Sequence, residues 1–285
     1  MSAADLARLI VFAAVLLAIV PLLGGYMARV FAYEARRPQT WKGYAGSLIV
    51  FSAVSWLALY SILRTRMSWD LGFNTTSSFV TNTNWQFYAG ETTLTGFVQM
   101  IGLAVQNFLS AAVGLVVAVV LIRALAGRPL GNFWEDLQRA VLRILLPISF
   151  AGALILASQG VIATLDFPVA SQEAIKLLGT NGGGFFNVNS AFPYENPNGL
   201  TNFLEMLAML SIPASLTYTY GRMAGSARQG WTVFGAMFAL FAISVTVIFL
   251  AESHATPAQQ AAGLTGPNLE GKELGFGTAG CRCGP

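Results

Sequence analysis

Six runs of about twenty or more apolar residues dominate this chain, at 6–27, 44–63, 95–122, 141–165, 200–220 and 231–251, each long enough to cross a bilayer as a helix. Hydrocarbon offers no partner to a free N–H or C=O, so a spanning run must satisfy its backbone internally. Composition agrees: 55% of residues are hydrophobic and only 10% charged, where a soluble domain carries about 25% charged residues. Mean hydropathy is +0.60. The expectation is an all-α membrane protein with six transmembrane helices.

The formal charge of +3 does not point to nucleic acid, because the basic residues sort by loop. With the N-terminus outside, ten Lys/Arg fall on the inner side, among them Arg123, Arg139 and Arg143, against six outside, Lys176 among them. That is the bias of a multi-pass protein of this orientation. The first run reads as a retained helix and not a signal peptide: Asp5 and Arg8 cancel before it, while Arg29, Arg36 and Arg37 follow it.

Between the second and third runs, and again between the fourth and fifth, one polar device recurs. The first copy reads Thr81-Asn82-Thr83-Asn84-Trp85-Gln86 and the second Thr180-Asn181-Gly182-Gly183-Gly184-Phe185-Phe186. Each is followed by a matching helix opening, Leu94-Thr95-Gly96-Phe97 and Leu200-Thr201-Asn202-Phe203, so the chain is built from repeated units. Ahead of the first copy, Asp70 is placed to cap a short helix over 71–80. Ahead of the second, Pro168 and Ser171 open a short helix with Glu173 in its first turn and Gly179 at its end. The pattern predicts helix, re-entrant helix, polar loop, helix, twice over. Non-helical backbone at membrane depth persists only where protein or water satisfies it. A short helix aiming its C-terminal end inward presents about half a negative charge, which favours a cation. Carbonyls of a glycine-rich loop can replace the hydration shell of a monovalent ion. The alternative is a pair of polar turns between helices; duplication at matching topological positions favours the filter.

Other features carry less. Pro147 and Pro213 fall inside spans and should kink them, freeing carbonyls that neighbours must satisfy. Glu205 lies one turn into the fifth span, where its repeat equivalent is Gln99; vestibule lining and snorkelling at the interface stay open for it. Gly266–Glu273 nearly matches a phosphate-binding loop but ends in Glu where magnesium needs Ser or Thr. His254, the one histidine, reads as solvated at a helix end. Glu135 and Asp136 read as first-turn charges of a helix. Asn74-Thr75-Thr76 fits a glycosylation sequon inside a predicted helix, and Cys281 and Cys283 are too few for a metal site.

The residues 78–86, 90–94, 105–112, 170–176 and 178–187, with 195–197, 200–203 and 268–273, resemble the potassium-binding A subunit of the Kdp potassium-transporting P-type ATPase. The likeness runs from about residue 44 to 277 and implies a potassium-channel-like fold of helix–pore loop–helix repeats, four in the family, in the bacterial plasma membrane. It implies selective binding of extracellular potassium and its delivery to a P-type ATPase catalytic B subunit, with small accessory C and F subunits. ATP is hydrolysed in another chain; this one binds none and is no enzyme by itself. The filter positions implied are Thr81, Asn82, Thr83 and Asn84, and Thr180, Asn181, Gly182 and Gly183, with backbone carbonyls binding potassium. Gln86, just above the first loop, matches a family position linked to ion selection.

The division expected is an opening helix and loop (1–43), a first pore repeat (44–125), a second (126–222), the first helix of a third (223–277) and an unmatched tail (278–285). Loops near 36–40 and 64–68 are shorter than the family usually has. Two alternatives accompany the transport subunit: a truncated fragment without activity, and a half-channel that homodimerises to complete four repeats.

Overall fold

The computed structural model describes residues 3–186, 190–263 and 265–268, and every regular element among them is helical. α1 (Ala3–Phe31) and α2 (Trp41–Leu63) are followed by the short α3 (Trp69–Val80), α4 (Gly90–Thr93) and α5 (Gly96–Val98). A π-helical segment, Gln99–Ala104, leads into α6 (Val105–Leu125). α7 (Phe133–Arg139) passes through a second, Ala140–Leu145, into α8 (Leu146–Ser158). The short α9 (Val169–Leu178), the long α10 (Gly199–Met223) and α11 (Ala227–Glu252), and α12 (Pro257–Ala261) complete the order. Among the described residues, six helical stretches are long and apolar enough to cross a membrane: Leu6–Phe31, Trp41–Leu63, Gly96–Leu125, Phe133–Ser158, Gly199–Met223 and Ala227–Ala261.

Local chemistry sets these boundaries. Thr40, Thr95, Asn132 and Asn198 each cap a helix by accepting from its first free N–H groups. The Asn132 cap starts the fourth span at Phe133, earlier than the apolar run suggests. The same span stops at Ser158, not residue 165, because Gly160 adopts φ +96° just beyond it and turns the chain out of the helix. α3 begins after Ser68, so Asp70 is a first-turn charge and not the cap. The Ser68 hydroxyl and then the Leu71 backbone N–H hold its carboxyl below the usual range. α9 begins after Pro168, which puts Glu173 in the second turn. Residues 269–285, and with them most of the phosphate-loop likeness, both cysteines and the expected tail, lie outside the described residues, as does Asn187.

Both π-helical segments lie in long spans, and the second ends at Leu145, two residues before Pro147. A proline cannot donate to the carbonyl four residues back and its ring crowds that oxygen. Here that oxygen is Arg143 O, and the Tyr26 hydroxyl of α1 donates to it at 2.7 Å. The carbonyl freed by Pro147 is satisfied from a neighbouring helix.

α1 lies along α10 at close range. A Cβ on Gly24 would come within 2.6 Å of Ser215 O, and the Thr219 hydroxyl donates to Gly24 O at 3.0 Å; small residues permit such approach between membrane helices. The largest apolar cluster joins Met27, Phe31, Tyr44, Val116, Phe133 and Ile144 from α1, α2, α6, α7 and the second π segment. Smaller clusters sit under α3 (Leu63, Phe79, Leu103) and beside α9 (Val169, Ala174, Phe185). The two short helices are thereby fixed, and with them the loops they lead into.

Candidate functional site

The two polar loops, ninety-odd residues apart in sequence, bond to each other. The Asn82 amide donates to Gly179 O at 3.2 Å, and the Asn181 amide donates to Asn82 Oδ1 at 3.1 Å. Gln86 pairs with the backbone of Gly184 as a strand would: Gly184 N donates to its Oε1 at 2.9 Å and its Nε2 donates to Gly184 O at 3.4 Å. Gly183 packs flat against the first loop, where an added Cβ would lie 2.7 Å from Asn84 O.

Asn107 of α6, fully buried, ties both loops together. It accepts from the Asn84 amide, donates to Gly183 O at 2.8 Å, and its carbonyl accepts from Asn181 at 2.9 Å. Gln172 of α9 donates to the same Gly183 O at 2.7 Å, and Ser110 donates to Asn82 Oδ1 at 2.8 Å. Sequence reasoning gave Asn107, Ser110 and Gln172 no role. The available signal was an asparagine in the middle of an apolar span, which is costly unless paired.

Backbone hand is the loops' most unusual property. Asn82 (φ 64°) and Asn84 (φ 56°) are left-handed with one residue between them; Thr180 (φ 58°) and Gly182 (φ 89°) repeat the alternation. For a β-branched residue such as Thr180 this is a true outlier, and such a conformation costs about 1–3 kcal/mol. Alternating hand gives successive peptide groups a common orientation, with N–H groups on one side and carbonyls on the other. Among the described residues, no hydrogen bond falls on the carbonyls of Thr81, Asn82, Thr83, Thr180, Asn181 or Gly182. The carbonyl of Gly183 is different: two side-chain amides occupy it. α3 and α9 both end where a loop begins, so the negative ends of two helix dipoles converge there. A cavity of about 110 Å³ opens against Asn82, Gly179 and Thr180, closed opposite by Leu145, Ile212 and Pro213.

Beside α9 lies a buried charge cluster. Lys176 Nζ stands 2.6 Å from Glu173 Oε2 and 2.7 Å from Glu195 Oε1, all three side chains fully buried. Ser190 donates to the other oxygen of Glu173. Burial and then Glu173 push Glu195 up to about 8, outweighing the lowering by Lys176. Burial alone would lower Lys176, but the two glutamates raise it above its ordinary value. Lys176 is therefore no surface topology charge.

Glu205 is buried, which removes the snorkelling reading; it lines a cavity of about 280 Å³ whose other walls are mostly apolar, including Ile19, Leu23 and Leu156. Gln99, its repeat counterpart, is buried and among the described residues neither of its amide atoms has a partner. Pro213 stands in the wall of the cavity under the loops. At the far end of α6, Arg123 clamps Asp136 with two bonds of 2.6 and 2.9 Å and donates to Phe31 O and Leu130 O. Tyr33 and Tyr44 donate to the same carboxylate at 2.9 and 3.1 Å. Burial and then Asp136 hold the Tyr33 hydroxyl well above its usual range. Asp136 is thus a first-turn charge as expected, and a buried one. His254 is exposed, and Thr75 and Thr76 of the sequon are fully buried.

Six apolar helices around a buried, cross-linked polar centre define an integral membrane protein of the helical class. A family model described as the potassium-transporting ATPase A subunit matches residues 10–283, and the chain belongs to that family. The match extends beyond the stretch 44–277 at both ends. Curated relatives include proteins of Methylobacterium nodulans (45% identical, covering 95% of this chain and 57% of the relative), Rhodospirillum centenum (45%, 98% and 58%) and Granulibacter bethesdensis (47%, 91% and 52%). Each is described as a potassium-transporting ATPase potassium-binding subunit. The chain spans just over half the length of these relatives. The first alignment runs over 326 positions against 285 residues here, so the relatives carry insertions relative to this chain.

Proposed function

We propose that this chain carries half of a potassium-binding filter, in which the carbonyls of Thr81, Asn82 and Thr83 and of Thr180, Asn181 and Gly182 face a dehydrating potassium ion. The alternating left-handed backbone, repeated in two loops that lie side by side, carries the reading. That conformation is strained outside glycine, and a pair of ordinary turns has no need of it. Two helix C-termini add negative potential at the same place. The relatives' description as potassium-binding subunits fits this chemistry, and Gln86 serves it by fixing one loop to the other. Asn84 and Gly183 hold the loops together; the carbonyl of Gly183 is spent on amides, which leaves three residues per loop to face the ion.

In the full assembly, two more loops complete the ring around the ion. The complex imports potassium at the bacterial inner membrane, with the N-terminus of this chain outside and both loops re-entering from that face. A P-type ATPase B subunit receives the ion and spends ATP, accompanied by small C and F subunits. The 44–125 and 126–222 segments each form one pore repeat, and α11 opens a third.

Equilibrium dialysis of the detergent-purified chain with radioactive rubidium, a potassium surrogate, tests the reading. Potassium is expected to compete better than sodium, yet weakly, because half a ring dehydrates an ion incompletely. Gln86→Leu removes both bonds to Gly184, and rubidium retention should fall severalfold. Equal competition by sodium overturns the potassium assignment. Micromolar affinity overturns the half-filter and favours a homodimer that completes four loops.

A further inference from the structure

A basic pocket lies at the end of the molecule away from the loops. α6 connects the two regions: Asn107 touches Gly183 and Arg123 touches Phe31, a rise of about 24 Å along the helix. The pocket has a volume of about 470 Å³ and is lined by Arg36, Glu135, Gln138, Arg139, Leu142 and Arg143. Three guanidinium groups therefore face one carboxylate, and that carboxylate already accepts from the backbone N–H of Arg36 at 3.1 Å. Arg139 is pinned, donating to Val30 O at 3.1 Å with its guanidinium 3.8 Å over the Tyr33 ring. Among the described residues, none of the three arginines forms an ion pair. A surplus of positive charge with one of its three guanidinium groups held in place calls for an anion with several oxygens, which guanidinium forks match.

The surface leading away from the pocket narrows the choice. Leu142, Leu146, Phe150 and Leu154 are all exposed, and their spacing of four places them in one line along a helix face. The line starts in the pocket wall and runs along α8 toward the depth of the bilayer. A soluble anion has no use for that stripe, whereas a lipid uses both parts.

We infer that this pocket seats the phosphate of an anionic phospholipid from the leaflet at that end, with an acyl chain lying on the Leu142–Leu154 stripe. With the N-terminus outside, that leaflet is the inner one; the inference does not rest on the filter. The lipid fills a site between the α1–α2 connection and the start of the fourth span, two segments already joined by Arg36 N to Glu135, Asn132 to Arg37 O and Gln39 N to Gly131 O.

Native mass spectrometry of the purified chain, titrated with phosphatidylglycerol or phosphatidylcholine, tests it. Phosphatidylglycerol should be retained in clear preference. The double variant Arg36→Gln, Arg143→Gln keeps every described bond, since neither side chain makes one, and should lower retention by about fivefold or more. Phe150→Gln should weaken retention with the charges intact, and Arg128→Gln, outside the pocket, should not. Equal retention by the double variant, or of phosphatidylcholine and phosphatidylglycerol, overturns the proposal. Displacement of the lipid by a molar excess of inorganic phosphate overturns it too, in favour of a free-anion site.

Discussion

Lys176 sits between two carboxylates with all three side chains buried, and one ammonium neutralises only one of them. The second glutamate therefore favours its protonated form, which is why burial and Glu173 push Glu195 up to about 8. Removing the ammonium by Lys176→Met leaves two buried acids facing each other, and breaking a buried pair this way costs about 3–5 kcal/mol; chemical denaturation of the purified variant should show it, and an unchanged midpoint would remove the cluster from the account of stability. The pH dependence has a definite sign. The folded state holds the Glu195 proton more tightly than the unfolded chain, so this group's contribution is complete below the ordinary value of 4.5. It drains away as pH climbs to about 8. Thermal midpoints should fall across that window, and Glu195→Gln should flatten the fall; a variant profile parallel to the parent's sinks the assignment. None of this was legible in the sequence, where Lys176 counted as an outer topology charge. Its first partner lies three residues away, a helical neighbour, but Glu195 lies beyond a loop whose path the sequence does not fix. Asn107 escaped notice for the same reason. The loops themselves are legible, because their polar, glycine-bearing sequence stands out against apolar flanks, but the left-handed threonine at position 180 breaks the usual preference and is imposed by the fold.

The helices show what periodicity can and cannot give. Hydropathy located all six long spans; the two short helices were also legible, but their starts were not, since Asp70 is a first-turn charge and not the cap and Glu173 falls in the second turn. The π segments at Gln99–Ala104 and Ala140–Leu145 left no such signal; an extra residue per turn is absorbed without change in composition. Proline gave half of the second one away. Pro147 announced an unsatisfied carbonyl, but Tyr26, which satisfies it, is over a hundred residues distant. The pair makes a clean double-mutant cycle. Tyr26→Phe in the parent chain removes the bond to Arg143 O and should cost about 0.5–1.5 kcal/mol. In a Pro147→Ala background the helix can supply its own N–H to that oxygen, so the same change should cost almost nothing. Equal costs in both backgrounds would show that Tyr26 acts through packing and not by answering the proline.

Across the molecule, orientation decides which solution the loops face. Not every lysine and arginine bears on the positive-inside bias: Lys176 and Arg123 are buried in ion pairs and report nothing about topology. Each side loses one charge and the bias remains, carried at the end of the α1–α2 and α6–α7 connections by exposed arginines such as Arg36, Arg128 and Arg143. The orientation can be read directly with single cysteines in a chain whose Cys281 and Cys283 are replaced by serine. Leu165 is fully exposed between α8 and α9, and Arg128 is exposed between α6 and α7. These sites lie at opposite ends of the fourth span. An impermeant maleimide should label Leu165→Cys in intact spheroplasts and Arg128→Cys only in inverted vesicles. The reverse pattern would put the loops on the cytoplasmic face and the arginine pocket on the outer one. Import through these loops would then fail as a reading. The pocket would still select an anionic lipid in detergent, because its chemistry is local, whereas the filter needs the right side of the membrane to do its work.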